Sequence, residues 1–276
     1  MIPIRDENPS HGTPHLTIGL IVVNLLVFLF QASLPAPDDE AFVWKYGYVP
    51  AKLVHTPEEF KAELPGNAPV VQATDRYGRP QYDLFGRPIV VRSRIPVEAA
   101  TAIPVWISIF TCMFLHGGWM HLLGNMLYLW IFGNNIEHRL GPALFLFFYL
   151  GTGLVGNLAH TFFEGSWMPL VGASGAISGV MGAYIVLYWH VRILAVVPLG
   201  WYWFTVRLPA WMFLGIYIVV QNLYPASFGQ SDGVAYWAHI GGFAAGVAMI
   251  FVFPKKPPPS PALRRVIDEN DADFVL

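Results

Sequence analysis

Charge is what this sequence has least of. Of its 276 residues, 12% are Asp, Glu, Lys or Arg, against roughly 25% in an average soluble domain. From Ala99 to Ile136 there is none. Between Ile95 and Pro254 the only ones are Glu98, Glu137, Arg139, Glu164, Arg192, Arg207 and Asp232. That scarcity argues against one or two soluble domains. A net charge of −2 leaves no electrostatic case for a nucleic-acid partner. A single cysteine, Cys112, excludes an internal disulfide. The opening stretch MIPIRDENPSHGTPH lacks the basic start of a cleaved signal peptide.

What the chain has instead is apolar length. Runs of about 18 or more apolar residues read as membrane-spanning helices. Six are expected, near Leu16–Leu34, Trp119–Ile136, Pro142–Phe163, Val171–Val191, Leu208–Tyr224 and Ala235–Phe253. The run Ile193–Val206 is shorter and carries Pro198, Gly200 and the cluster Trp201, Tyr202, Trp203, Phe204. That composition suits a loop at the membrane interface. The expected fold class is therefore an all-α membrane protein, a bundle of six transmembrane helices. A membrane domain over 16–254 would follow a segment 1–15 and precede a tail 255–276 that reads as disordered.

Orientation follows from the basic residues. With the N-terminus in the cytoplasm, Arg5, Arg139, Arg192, Arg207, Lys255, Lys256, Arg264 and Arg265 all face inward, and the short outer connections carry no Lys or Arg. Both termini are then cytoplasmic. The long polar connection at about 35–98 is extracytoplasmic, its Lys and Arg notwithstanding. It contains an echo, YGRP at 77–80 and FGRP at 85–88, followed by PIVVRSRIP, where a β-hairpin fits. Residues 55–98 leave three uses open: a lid, a substrate-docking element or a partner site.

Ionisable and strongly polar groups inside spans are costly, so they mark function. The stretch FLHGGWMHLLGN at 114–125 holds His116, His121 and Asn125, VGASGAISGVMG holds Ser174, and His239 opens the last span. His160 and His190 fall near span ends and read as interfacial. The alternative for Ser174 is a helix-packing hydroxyl bonded to its own backbone. Topology speaks against that. Alternating the spans puts His121, Asn125, Ser174 and His239 at similar depth below the outer face. A serine hydroxyl needs a base, which His239 can supply. Asn125 and His121, four apart, are offset by about 40° and share a helix face. There they could donate to a developing oxyanion. Ser174 begins a helix, where free N–H groups and the helix dipole also favour an anion. Gly172 and Gly175 allow close backbone approach. His116 lies about 140° around the helix from His121. That separation, with no HExxH and no nearby Asp or Glu, argues against a metal. No cofactor is expected. Gly175-x-x-x-Gly179 and Gly242-x-x-x-Gly246 read as packing faces.

These residues carry a resemblance. HGGWMHLLGN (116–125), GASG (172–175) and AHIGGFAAG (238–246) are similar to the H-x4-H-x3-N, GxSG and AHxxGxxxG patterns of the rhomboid family of intramembrane serine proteases. NNIEHRLG (134–141) and KYGYVPAKL (45–53) look like family connections. The likeness covers about 16–254 and is to the six-span prokaryotic form. It implies Ser174 as nucleophile and His239 as general base and then acid, with no acidic third member. It implies an oxyanion hole from Asn125, His121 and the backbone around Gly172 and Ser174, with His116 supporting the first connection. One departure stands out. Ser178, four after the nucleophile, occupies a place where some relatives carry an aromatic ring that packs on the base.

The implied activity is hydrolysis of peptide bonds in or near the membrane segments of single-span proteins. The site would face the extracytoplasmic side of a plasma membrane, with the lipid bilayer as the other partner. A second class, inactive relatives that bind transmembrane clients, typically lacks the serine or the histidine, and both are present here.

Overall fold

The structure is a computed structural model and describes residues 1–8, 12–64, 70–72, 82, 87, 90–92, 96–228 and 233–253. The chain opens with strand β1 (Ile2–Asp6) and helix α1 (His15–Ser33). Three short helices follow, α2 (Ala36–Tyr46), α3 (Ala51–Val54) and α4 (Pro57–Glu63). Strands β2 (Val70–Gln72) and β3 (Val90–Arg92) precede α5 (Val97–Thr101) and α6 (Val105–Thr111). Helix α7 (Trp119–Tyr128) runs through a π turn (Leu129–Gly133) into α8 (Asn134–Leu140). Then come α9 (Pro142–Phe163), α10 (Ser174–Tyr188), strands β4 (Arg192–Leu199) and β5 (Tyr202–Pro209), and α11 (Ala210–Ile218). A second π turn (Val219–Leu223), α12 (Tyr224–Ser227) and α13 (Tyr236–Val252) complete the described chain.

The fold is mostly helical, and a helix stands at each of the six places where the sequence marks a span. Among the described residues, α1 and α9 are each long and apolar enough to cross a membrane. A third crossing counts if the pair Val105–Phe114 and Trp119–Leu140, bent by 84°, is taken as one span. Helices α10 and α13 are apolar but shorter.

At the centre is α10. Its residues from Gly175 to Tyr184 are all buried, as expected of a helix apolar all round. The two small-residue stretches anticipated in the sequence meet each other. Gly242 of α13 lies against the Gly175 carbonyl, and Gly246 lies against the Gly179 carbonyl. On its other side Gly179 faces Thr152 of α9. A methyl group at Gly179, Gly242 or Gly246 would collide with a neighbouring helix, so α10 and α13 pack backbone to backbone.

Two features depart from an all-α fold. The run expected to be an interfacial loop is a β-hairpin, with Arg192 opposite Pro209 and Leu199 opposite Tyr202. Gly200, at φ +60°, makes its two-residue turn. Strand β1, within the segment 1–15 ahead of the first expected span, pairs with β4 and closes a three-stranded sheet in the order β1-β4-β5. The sheet is latched to the bundle by Asp6, whose Oδ2 accepts from the Tyr184 hydroxyl at 2.6 Å and Asn135 Nδ2 at 2.9 Å. Burial pushes the Asp6 carboxyl above its usual range, and the two donors oppose that rise.

The other end of the bundle carries a small second core in which Trp44, Val49, Phe60, Leu64 and Ala100 pack with Trp167. The rings of Phe60 and Trp167 stack at 5.7 Å. Within the long connection β2 and β3 pair antiparallel, the pairing a hairpin there requires. The YGRP and FGRP echo, apart from Arg87, and the tail 255–276 lie outside the described residues.

Candidate active site

Gly172 carries φ +121° and donates its N–H to the Cys112 carbonyl at 2.9 Å. This turns the chain into α10 with Ser174 as its first helical residue. The helix's first internal bond runs from Ile177 N–H to the Ala173 carbonyl, so the Ser174 N–H stands outside the helical ladder. Helix α13 places His239 in its first turn. Glycine contact between α10 and α13 brings the two side chains together, with Ser174 Oγ 2.7 Å from His239 Nε2.

Both line a cavity of about 670 Å³, together with His121, Asn125, His160 and Tyr217. Asn125 is 8% exposed, and its Nδ2 has no hydrogen-bond partner among the described residues. His121, one turn before it, takes a bond at Nδ1 from the Gly117 N–H at 3.4 Å. An accepting Nδ1 leaves the ring proton on Nε2. That Nε2 side faces Gly172, where a Cβ would stand 2.7 Å from it. Gly172 therefore contributes room and not a donor, because its own N–H is engaged by Cys112.

His116 is fully buried in the connection ahead of α7, its ring 5.2 Å from that of His121. Gln31 of α1 holds this connection from both sides. Its Nε2 donates to the His116 carbonyl at 3.0 Å, and its Oε1 accepts from the His116 N–H at 3.4 Å. His190 is exposed at the far end of α10, as an interfacial side chain would be. His160, near the end of α9, is turned into the protein. It is 3% exposed and lines the cavity, its Nδ1 3.4 Å from Glu164 Oε2.

One close neighbour of the pair is absent from the sequence reading. Asn222, on the second π turn and 2% exposed, places Oδ1 2.7 Å from His239 Nδ1. Its Nδ2 donates to the Tyr217 carbonyl at 2.8 Å. Ser178 meets the Tyr217 hydroxyl at 2.6 Å. Like Ser174 and His239, Asn222 is a polar residue in an apolar run. It lies near the C-terminal end of the fifth apolar run, Leu208–Tyr224.

A family model described as the Rhomboid domain matches residues 104–256. RHOMBOID-like protein 1 of Arabidopsis thaliana is 33% identical over 153 residues, 55% of this chain and 36% of its own length. The putative rhomboid protease YdcA of Bacillus subtilis is 40% identical over 80 residues, 29% of this chain and 40% of its own. Rhomboid-like protease 3 of Toxoplasma gondii is 30% identical over 186 residues, covering 67% of this chain and 66% of that protein. Against these three relatives the chain spans from about a third to two thirds of their length. The matched region takes in Asn125, Ser174, Asn222 and His239 and more than half of the chain, which belongs to the rhomboid family.

Proposed function

We propose that this protein is an intramembrane serine endopeptidase that cleaves single-span membrane proteins with Ser174 and His239. The observation that carries the reading is the 2.7 Å contact between Ser174 Oγ and His239 Nε2, in a cavity shared with two uncommitted donors. His239 takes the hydroxyl proton as Ser174 Oγ attacks the scissile carbonyl carbon. The negative charge on the carbonyl oxygen is met by Asn125 Nδ2, His121 Nε2–H and the Ser174 N–H at the head of α10. The C–N bond breaks as His239 returns the proton to the leaving amine. Water, activated by His239 in the same way, hydrolyses the acyl-enzyme and frees Ser174.

The membrane core holds no bulk water, so the cavity must open to one face, and the shared shallow depth of Ser174 and His239 favours the extracytoplasmic one. A helical substrate hides its carbonyls in its own hydrogen bonds. It has to unwind locally before one of them reaches Ser174, which favours small and helix-weakening residues around the cleavage point.

The test is cleavage of a labelled single-span protein in liposomes by wild type, Ser174→Ala and His239→Ala. Wild type should cleave and neither variant should, with all three folded. Cleavage by Ser174→Ala would overturn the assignment. A folded wild type that cleaves none of a substrate panel would shift weight to a client-binding role.

A further inference from the structure

Asn222 is a buried amide on the second π turn, and its two contacts determine each other. A carbonyl oxygen only accepts, so the end of the amide facing the Tyr217 carbonyl at 2.8 Å has to be Nδ2. The end facing His239 Nδ1 at 2.7 Å is then Oδ1, which also only accepts. The hydrogen between them belongs to the imidazole, on Nδ1. A neutral ring protonated at Nδ1 is bare at Nε2, the atom 2.7 Å from Ser174 Oγ. The serine hydroxyl therefore donates to His239, as nucleophilic attack requires.

We propose that Asn222 is the positioning residue of the Ser174–His239 pair, holding the ring of His239 in the tautomer and plane that accept the serine proton. The inference rests on the serine-protease reading above. It also accounts for Ser178. That side chain has no ring to pack on the base, and its hydroxyl is spent on Tyr217, the residue whose carbonyl anchors Asn222. The base is held from the α11 side instead of from α10. The π turn that carries Asn222 is a local irregularity of the kind found at functional sites. A neutral amide also suits the place better than a carboxylate. At 2% exposure a second charge would carry a large desolvation cost, while Oδ1 still offers partial negative charge to the imidazolium that forms during attack.

Two measurements on the full chain in liposomes test this. The first is ¹⁵N NMR of histidine-labelled wild type, with the His239 signals identified by their loss in His239→Ala. The expected spectrum has a protonated Nδ1 and a bare Nε2; a protonated Nε2 with a bare Nδ1 overturns the proposal. The second compares kcat and KM for Asn222→Leu and Asn222→Asp. Leucine has similar volume and no acceptor, and its kcat should fall about 100-fold with KM nearly unchanged, since a misplaced reacting group costs rate and not binding. Aspartate keeps an acceptor toward Nδ1 whether or not it is protonated, and should retain kcat within about tenfold of wild type, on the same argument. Wild-type kcat in Asn222→Leu overturns the proposal. The NMR arm decides if that variant does not fold. Ser174→Ala and His239→Ala run alongside. If Ser174→Ala still cleaves, the protease reading falls. If both are inactive while Asn222→Leu keeps full kcat, only the role of Asn222 falls.

Discussion

At Gly172 the chain holds φ at +121° and passes so close to α7 that a Cβ would stand 2.7 Å from both Cε1 and Nε2 of His121. An alanine there suffers twice: left-handed backbone that costs about 1–3 kcal/mol, and displacement of the ring proposed to meet the oxyanion. Gly215, on α11, has nothing within 4 Å of an added Cβ. We expect Gly172→Ala to lower kcat by about 100-fold, the order of losing one oxyanion donor. Gly215→Ala should keep wild-type activity. Equal kcat in the two variants would mean that His121 is not held in place by Gly172. Ser174, His239, His121 and Asn125 are legible in the sequence because each is a polar residue in an apolar run. Asn222 meets the same description, yet in the sequence nothing separates it from the neighbouring amide of Gln221. It meets His239 through the packing of the second π turn on α13, which no spacing rule over 208–224 contains.

Among the elements, α1 shows how a helix end inside the bundle is satisfied from a distance. Its N-cap position is Pro14, which offers no side-chain cap. Glu137, buried on α8, supplies one. Its carboxylate accepts from the Leu16 N–H at 2.8 Å and from the Thr17 N–H and hydroxyl, both at 2.7 Å. A negative group at a helix N-terminus is favoured by the dipole as well as by the free N–H groups. Glu137→Ala leaves the buried Thr17 amide and the part-buried Leu16 amide without their acceptor and should cost about 2–3 kcal/mol, read as a lower thermal midpoint in detergent. An unchanged midpoint would show that α1 docks without this cap. In the sequence Glu137 is conspicuous as a lone carboxylate in an apolar region, but its partner lies 120 residues away and no local pattern points to it. The β4–β5 hairpin is illegible for another reason. Ile193–Val206 is apolar on both strand faces and contains Pro198, so the period-2 alternation that marks a half-exposed strand never appears. The strands show themselves only in their pairing, β4 with β5 and β4 with β1, and the second pairing is tertiary.

Over the whole molecule, the site and the sheet occupy opposite ends of the bundle, because α10 begins at Ser174 and ends at Tyr188, just before β4. Its 15 residues rise about 22 Å, less than a hydrocarbon core of about 30 Å. The central helix is flanked by the longer α9 and α13, and its head, Ser174, lines the cavity. Charge divides along the same axis. Arg5, Arg139, Arg192 and Arg207 sit on β1, α8, β4 and β5 at the sheet end, while the short connections 164–173 and 225–235 at the site end have no Lys or Arg. On the positive-inside rule we propose that the sheet end faces the cytoplasm. Cysteine labelling checks this directly. Cys112, the single native cysteine, is 1% exposed and should not react. Trp201 at the hairpin turn is 96% exposed, and Val54 beyond α1 is 67% exposed. In sealed right-side-out vesicles a membrane-impermeant maleimide should label Val54→Cys and spare Trp201→Cys, and inverted vesicles should reverse the pattern. The opposite result would turn the protein over and put the Ser174 cavity on the cytoplasmic face. Labelling of both positions from one side would mean that the two ends of the bundle do not lie on opposite faces of the membrane, and α10 would then not cross it.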